Sequence, residues 1–357
     1  MGKKIVLTGG GTAGHVNPNL ALTPLLKAHG LEISYIGSER GIEKELVGKT
    51  ALPFFGISCG KLRRYFSWEN FSDVFRILKG YSQSKKILKK IRPDILFSKG
   101  GYVSVPVVFA ATKLKIPVVI HESDYTPGLA NRLCIPKAER VCVCFDAACQ
   151  HIPQEKCIKT GAPVRPELFL GKREKGLRFL GFSGEKPVLL IMGGSLGALA
   201  INQAVDEVLD QLLDQFDIAH IRGAEKLNPA LKGKKGYAQF EYIGKELADL
   251  FAAADLMLSR SGANAIFEIL ALGIPSLLIP LPLEASRGDQ ILNARYFEEK
   301  GYSLVLQQGN ITPQVLLDKI QQLWREAPKL KEKMRHSKMQ NGAENVAQVI
   351  FEVLEGK

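Results

Sequence analysis

Lys4-Ile5-Val6-Leu7-Thr8-Gly9-Gly10-Gly11-Thr12-Ala13-Gly14-His15 carries an apolar strand into a glycine-rich turn, and Val188-Leu189-Leu190-Ile191-Met192-Gly193-Gly194-Ser195-Leu196-Gly197-Ala198 does so again about half a chain later. A turn without β-carbons lets backbone approach a ligand closely, and the first N–H groups of the helix that follows point at it. Each turn is therefore a potential phosphate cradle. Two of them in one chain predict two nucleotide-type α/β domains with a cleft between them.

The flanking pattern agrees. After the first turn, apolar segments recur at Glu32–Ile36, Asp94–Ser98, Pro117–His121 and Val141–Cys144, separated by amphipathic stretches. This βαβ alternation implies a doubly wound parallel sheet with helices on both faces. Gly100-Gly101-Tyr102 and His121-Glu122-Ser123-Asp124 then fall at the carboxyl edge, where open α/β sheets bind ligands. Gly161-Ala162-Pro163-Val164-Arg165-Pro166 breaks the periodicity and reads as the linker. A second series follows, with strands expected at Val188–Met192, Asp217–Ile221, Phe240–Ile243, Leu256–Ser259, Ser276–Ile279 and Ser303–Leu306. Val346, Val349, Ile350, Val353 and Leu354 outline a last amphipathic helix.

A length of 357 residues suits two domains, and 46% hydrophobic with 24% charged residues suits a soluble globular enzyme. No apolar run approaches the roughly 20 residues of a membrane span. The start, Met1-Gly2-Lys3-Lys4, places Val6 where a myristoylation signal has Ser or Thr, and its apolar run is too short for a signal peptide. The cytoplasm is the expected compartment. Cys59, Cys134, Cys142, Cys144, Cys149 and Cys157 show no C-x-x-C spacing and no neighbouring histidine pair, so zinc is not expected and the six read as free thiols in a reducing compartment.

Lys and Arg exceed Asp and Glu by 48 − 36 = 12, and the excess is concentrated. Lys61, Arg63, Arg64, Arg76, Lys79, Lys85, Lys86, Lys89, Lys90 and Arg92 face only Glu69 and Asp73 within one stretch. The same stretch carries Tyr65, Phe66, Trp68, Phe71, Phe75 and Tyr81. An apolar stripe beside a basic face suits an anionic membrane surface, and equally a helix with a core-facing stripe and a solvated back. No nucleic-acid motif accompanies the charge.

Several local motifs admit competing chemistries. Gly9, Gly11 and Gly14 satisfy G-x-G-x-x-G, with Glu39 near the end of the second strand, as in a dehydrogenase. However, His15 and Pro18 follow at once, which suits acid/base chemistry better than passive pyrophosphate packing. Gly193-Gly194-Ser195-Leu196-Gly197 also fits the G-x-S-x-G elbow of α/β-hydrolases. The later histidines, His220 within a strand and His336 in a lysine-rich helix, are poorly placed for a triad, so Ser195 reads better as a hydroxyl donor to phosphate. Ser259-Arg260-Ser261-Gly262-Ala263 is a third strand-to-helix turn. Glu268, a turn or two into its helix, suits vicinal ribose hydroxyls or simply the helix dipole. Asp289 and Gln290 open another helix with groups that read sugar hydroxyls or cap a surface turn.

Gly10-Gly11-Thr12-Ala13-Gly14-His15, Ser98-Lys99-Gly100-Gly101-Tyr102, His121-Glu122-Ser123-Asp124, Gly193 to Ala198, Ser261-Gly262-Ala263 and Asp289-Gln290 occur in the order and spacing of one family. The chain closely resembles the MurG family of peptidoglycan glycosyltransferases along nearly its whole length. The resemblance implies a GT-B architecture, with an acceptor and membrane-facing domain at 1–163 joined by a final helix at about 341–357, and a UDP-sugar domain at 164–340. It implies inverting transfer of N-acetylglucosamine from UDP to the C4 hydroxyl of lipid I, giving lipid II, at the cytoplasmic face of the membrane. No cofactor or metal is expected, and cell-wall synthesis or division proteins would be further partners.

Carried over by position, Thr12, Ala13 and Gly14 match first-loop substrate contacts, and Arg165, Ser195 and Gln290 match donor contacts. Ile243 takes the place whose backbone reads uracil, Glu268 that of the ribose-binding acid, and His15 that of the general base. Asp124 stands where other members carry Asn near the donor sugar, which would turn a neutral hydrogen bond into a charged one. The first turn then faces the acceptor, with its pyrophosphate. Two rival readings stay open: a UDP-N-acetylglucosamine epimerase of the same architecture, and a membrane-surface binding protein with a regulatory nucleotide site.

Overall fold

The computed structural model describes residues 2–60, 69–194, 197–285 and 288–356. They form two compact units, Met1–Arg165 with Asn341–Lys357, and Pro166–Gln340. The first is built on β1 (Lys4–Thr8), β2 (Glu32–Ser38), β3 (Phe54–Ile57), β4 (Ile95–Ser98), β5 (Val118–Glu122), β6 (Arg140–Val143) and β7 (Cys157–Lys159). All pairs are parallel, in the order β3-β2-β1-β4-β5-β6-β7. The chain reverses its direction of winding between β1 and β4, where Thr8 pairs with Ser98. That switch point lies at the mouth of the first glycine turn.

Successive side chains of a strand point to opposite faces, so a sheet covered on both sides needs continuously apolar strands. Ile5 and Leu7 enter one core with Tyr35 and Phe97, while Val6 enters the other with Ile36 and Leu96. The helix Gly342–Glu355 covers the first of these faces through Val346, Val349 and Ile350, each contributing about 1.5–3 kcal/mol by burial. It is further fixed by Phe351 stacked on His29 at 3.9 Å, by Lys3 Nζ donating to Leu354 O, and by Asn345 Nδ2 donating to Thr160 O. The chain's last helix thus belongs to its first unit.

The second unit contains β8 (Val188–Met192), β9 (Asp217–Ile221), β10 (Tyr237–Phe240), β11 (Leu256–Ser259), β12 (Ser276–Leu278) and β13 (Ser303–Val305). These are parallel in the order β10-β9-β8-β11-β12-β13. Its switch point lies between β8 and β11, where Met192 pairs with Ser259 beside the second glycine turn.

Three local differences from the sequence expectation have simple causes. β3 and β7 were not expected because both are edges, half-buried along much of their length, so neither reads as an apolar run. β10 ends at Phe240, so Ile243 lies in the loop beyond it rather than in the strand. Cys149 and Cys157 are not free thiols but form a disulfide with Cα atoms 5.7 Å apart. A short 3-10 helix, Asp146–His151, folds Cys149 back over the start of β7, a proximity that the spacing of eight does not reveal. Cys59, Cys134, Cys142 and Cys144 are free.

Candidate functional site

In the first unit, the turn after β1 delivers Thr12 in extended conformation at the start of the helix Ala13–Ala28, with His15 in its first turn. Thr12 Oγ1 lies 3.0 Å from His15 Nδ1. When Nδ1 carries the proton, it donates to the hydroxyl and leaves the lone pair on Nε2, the tautomer a general base requires. Burial, aided by the nearby Lys99 ammonium, lowers the His15 pKa from 6.5 to about 4. The imidazole is therefore neutral near pH 7.

The turn is braced from beneath by groups that the sequence reading did not single out. Tyr35, fully buried on β2, donates its O–H to Gly9 O at 2.8 Å, and Asn19 Nδ2 donates to both Tyr35 Oη and Thr8 O. Glu43 is also fully buried. Its side-chain oxygens accept from Ser38 N at 2.9 Å and Gly11 N at 3.3 Å, so one N–H of the supposed phosphate cradle already has a partner within the chain. A Cβ at Gly10, Gly37 or Gly41 would come within 2.7 Å of this side chain, so the three glycines give it room.

Across the switch point, Lys99 follows β4 and is almost wholly buried, its Nζ donating to Ser123 Oγ at 3.0 Å. Glu122, at the end of β5, accepts from Asp124 N, Gly128 N and Asn131 Nδ2, which fixes the loop carrying Ser123 and Asp124. Asp124 is partly buried. His121 donates from Nε2 to Gly161 O and is held neutral by burial and by Lys99. Thr12, Ala13, Gly14, His15 and Asp124 thus all follow the carboxyl ends of β1 and β5 in one unit. Arg165 is the last residue of the same unit's main segment.

In the second unit, Gly193 and Gly194 follow β8, Gly197 turns toward the helix Leu199–Glu207, and Ser195 lies outside the described residues. A buried network sits behind this turn. Asn202 Nδ2 donates to Arg222 O, so Asn202 Oδ1 faces His220 Nε2 and must accept from it. His220 is neutral, its pKa lowered to about 3 by burial, and its Nδ1 therefore accepts from the Tyr237 hydroxyl. Arg222 completes the network with a bidentate pair to Asp206 and a hydrogen bond to Tyr237 Oη. Both ring nitrogens of His220 are consumed, which removes it as a triad base. The network instead holds the carbonyl of Arg222 against Gly197.

Arg222 is 5% exposed and Asp206 22%, so Asp206→Asn leaves a largely buried guanidinium without its counter-charge. We expect a loss of about 2 kcal/mol in chemical unfolding, reduced from the fully buried case by Asp206's partial exposure. The turn at Gly197 should loosen with it, because the carbonyl behind it loses its anchor.

The remaining donor-side candidates are tied together at the loops after β11 and β12. Ser261 Oγ donates to Gln290 O, Asn293 Nδ2 donates to Ser261 O, and Gln290 Oε1 accepts from Leu281 N. Arg260 reaches from the end of β11 to Ile279 O, Pro280 O and Gln308 Oε1. Gln290 and Glu268 therefore stand on helices whose starts are locked to one another, Glu268 partly buried in the helix Ala263–Leu272. Ile243 is buried in the loop after β10, two strands from β8. The Arg260 and Asn293 braces were missed because their partners lie on other loops. Among the described residues no cluster of side chains has metal-ligand composition and spacing.

Residues 5–143 match the glycosyltransferase family 28 N-terminal domain, and residues 188–350 match its C-terminal domain. A UDP-N-acetylglucosamine–N-acetylmuramyl-(pentapeptide) pyrophosphoryl-undecaprenol N-acetylglucosamine transferase from Lachnoclostridium phytofermentans is 53% identical over 98% of this chain and 99% of its own. The crystal structure of MurG from Acinetobacter baumannii superposes with a TM-score of 0.76 at 26% identity, covering 98% of this chain and 99% of that one. The UDP-GlcNAc 2-epimerase of Neisseria meningitidis, at 16% identity and a TM-score of 0.69 over 99% and 100% of the two chains, shares the fold. Two doubly wound parallel units, each with a glycine turn at its switch point, define the GT-B class. The chain belongs to glycosyltransferase family 28.

Proposed function

We propose that the protein is an inverting glycosyltransferase that moves N-acetylglucosamine from UDP-N-acetylglucosamine to the C4 hydroxyl of the N-acetylmuramoyl unit of lipid I, giving lipid II for peptidoglycan. The observation that carries this reading is the end-to-end likeness, at 53% identity, to a transferase whose name states both donor and acceptor.

The second unit takes the donor. Gly193 to Ala198, Ser195 among them, meet the diphosphate together with Arg165 from the first unit, Ile243 reads uracil through its backbone, Glu268 binds the ribose hydroxyls and Gln290 the sugar. The first unit takes the acceptor at Thr12, Ala13 and Gly14, and its Asp124 reads a hydroxyl of the donor sugar. His15 Nε2 removes the C4 hydroxyl proton as that oxygen forms its bond to the anomeric carbon from the face opposite UDP. The bond from that carbon to the β-phosphate oxygen breaks, and the charge left on UDP is met by helix-start N–H groups, Ser195 and Arg165.

The site of action is the cytoplasmic face of the cell membrane, held peripherally by the basic and aromatic stretch from Lys61 to Arg92. Lys61 to Trp68 lie outside the described residues. In the described helix Glu69–Ile91, Phe75 and Leu78 are exposed beside Arg76 and Lys79, as an anionic bilayer surface would require. No described helix is long and apolar enough to cross a membrane.

Transfer of labelled N-acetylglucosamine from UDP to a soluble lipid I analogue tests the function directly. Disaccharide product with released UDP is the expected result. Conversion of the donor in the absence of acceptor would replace the reading with an epimerase, and no turnover under either condition would leave a binding protein.

A further inference from the structure

Lys99 is 1% exposed, yet its side chain ends in an ammonium group. Its backbone N–H donates to Thr8 O at 2.9 Å, which fixes it at the switch point between β1 and β4. A buried charge is costly unless a counter-charge accompanies it. Ser123 Oγ, 3.0 Å from Nζ, supplies a hydrogen bond but no charge.

Cys144, Glu122 and Asp124 oppose the effect of burial on the ammonium, and the last two are carboxylates. Glu122 is committed to three N–H groups, those of Asp124, Gly128 and Asn131 Nδ2, at 2.9–3.0 Å. Asp124 immediately follows Ser123, the residue that Lys99 holds. The other ionisable neighbours are the imidazoles of His15 and His121 and the Cys144 thiol, all kept neutral by burial.

We propose that Lys99 and Asp124 form one compensating charge unit: the buried ammonium, anchored through Ser123, sustains a carboxylate at position 124 that reads the hydroxyls of a bound sugar. Lys99 acts through Ser123 and Asp124 and is a positioning residue. The kinetic part of this proposal rests on the transferase reading, and the structural part does not.

The test is a double-mutant cycle in the full-length protein with K99M, D124N and K99M/D124N. Met replaces the lysine stem with an unbranched apolar chain, and Asn keeps the shape of Asp without its charge. Each single change unbalances the pair, so kcat/KM for UDP-N-acetylglucosamine should fall about 100-fold and the melting temperature should fall with it. The double variant removes both charges together and should recover to within about tenfold of wild type, with most of the lost melting temperature regained. UDP, which lacks the sugar, should bind all four forms alike, which a general structural defect would not allow.

Losses that multiply in the double variant, or a K99M protein indistinguishable from wild type, would overturn the pairing. If either single variant does not fold, recovery or failure of the double variant decides the matter. If wild type transfers no sugar, the transferase reading fails while the melting-temperature cycle still decides the pair, with mutual rescue supporting it and additive losses refuting it.

Discussion

His15→Ala lowers turnover by about 10²–10⁴-fold while leaving the affinity for UDP-N-acetylglucosamine unchanged. The separation follows from the chain's organisation. His15 stands on the first unit's turn, with Thr12 Oγ1 at 3.0 Å from Nδ1 to select its tautomer, whereas the donor candidates other than Arg165 and Asp124 belong to the second unit. The pH dependence adds a second readout. A histidine whose pKa is lowered to about 4 loses its proton below neutrality, so kcat/KM should stay level from about pH 7 down toward 5 and fall only as pH approaches 4. An acidic limb centred near 6.5 would mean that burial does not depress the His15 pKa, and near-normal turnover in the alanine variant would remove it from the mechanism. Thr12→Val, which deletes the hydroxyl partner but keeps the shape, should lower kcat less than loss of the imidazole itself.

Gly197→Ala should be the most damaging single methyl on the donor side. Its φ of +69° already disfavours any side chain, and a Cβ there would lie 2.0 Å from the carbonyl oxygen of Arg222. That carbonyl cannot retreat easily, because Asn202 Nδ2 donates to it at 3.0 Å and the Arg222 side chain is locked to Asp206. Strain and clash together should cost about 3 kcal/mol in unfolding measurements. Displacement of the turn should reduce kcat/KM for the donor by about 10²-fold. Gly194→Ala meets the same kind of backbone penalty at φ +90° but finds open space, so the difference between the two variants isolates the clash. Gly309→Ala, with ordinary φ and nothing within 4 Å, should be neutral in unfolding. Equal behaviour at 194 and 197 would show that the Arg222 carbonyl does not hold the turn.

Much of the architecture could be read in advance because it is written in local pattern. Central strands such as β1 and β8 are apolar on both faces and lead directly into small residues, so their type and their functional edge are both visible. Edge strands β3 and β7 lose that signature because one side of each lacks a neighbour. The site follows the same division. His15, Glu268 and Gln290 sit at recognisable offsets from turns, whereas the groups that hold the turns do not. Asn202, His220 and Tyr237 act together across separations of 17 and 18 residues, and Lys99 finds Ser123 at a separation of 24. Such partners are selected by sheet order, which places β4 beside β5 and β9 beside both β8 and β10, and no local spacing records that choice.

The carboxylate of Glu43 has a consequence for inhibition. Two glycine turns of similar sequence sit at equivalent switch points, yet in the first an N–H that would meet phosphate is directed at an acid from the same chain. The first turn therefore has one N–H fewer to offer a nucleotide diphosphate than its sequence suggests. Calorimetric titration with UDP should saturate at a stoichiometry of one, and an inhibitor that mimics the nucleotide diphosphate should compete with the donor.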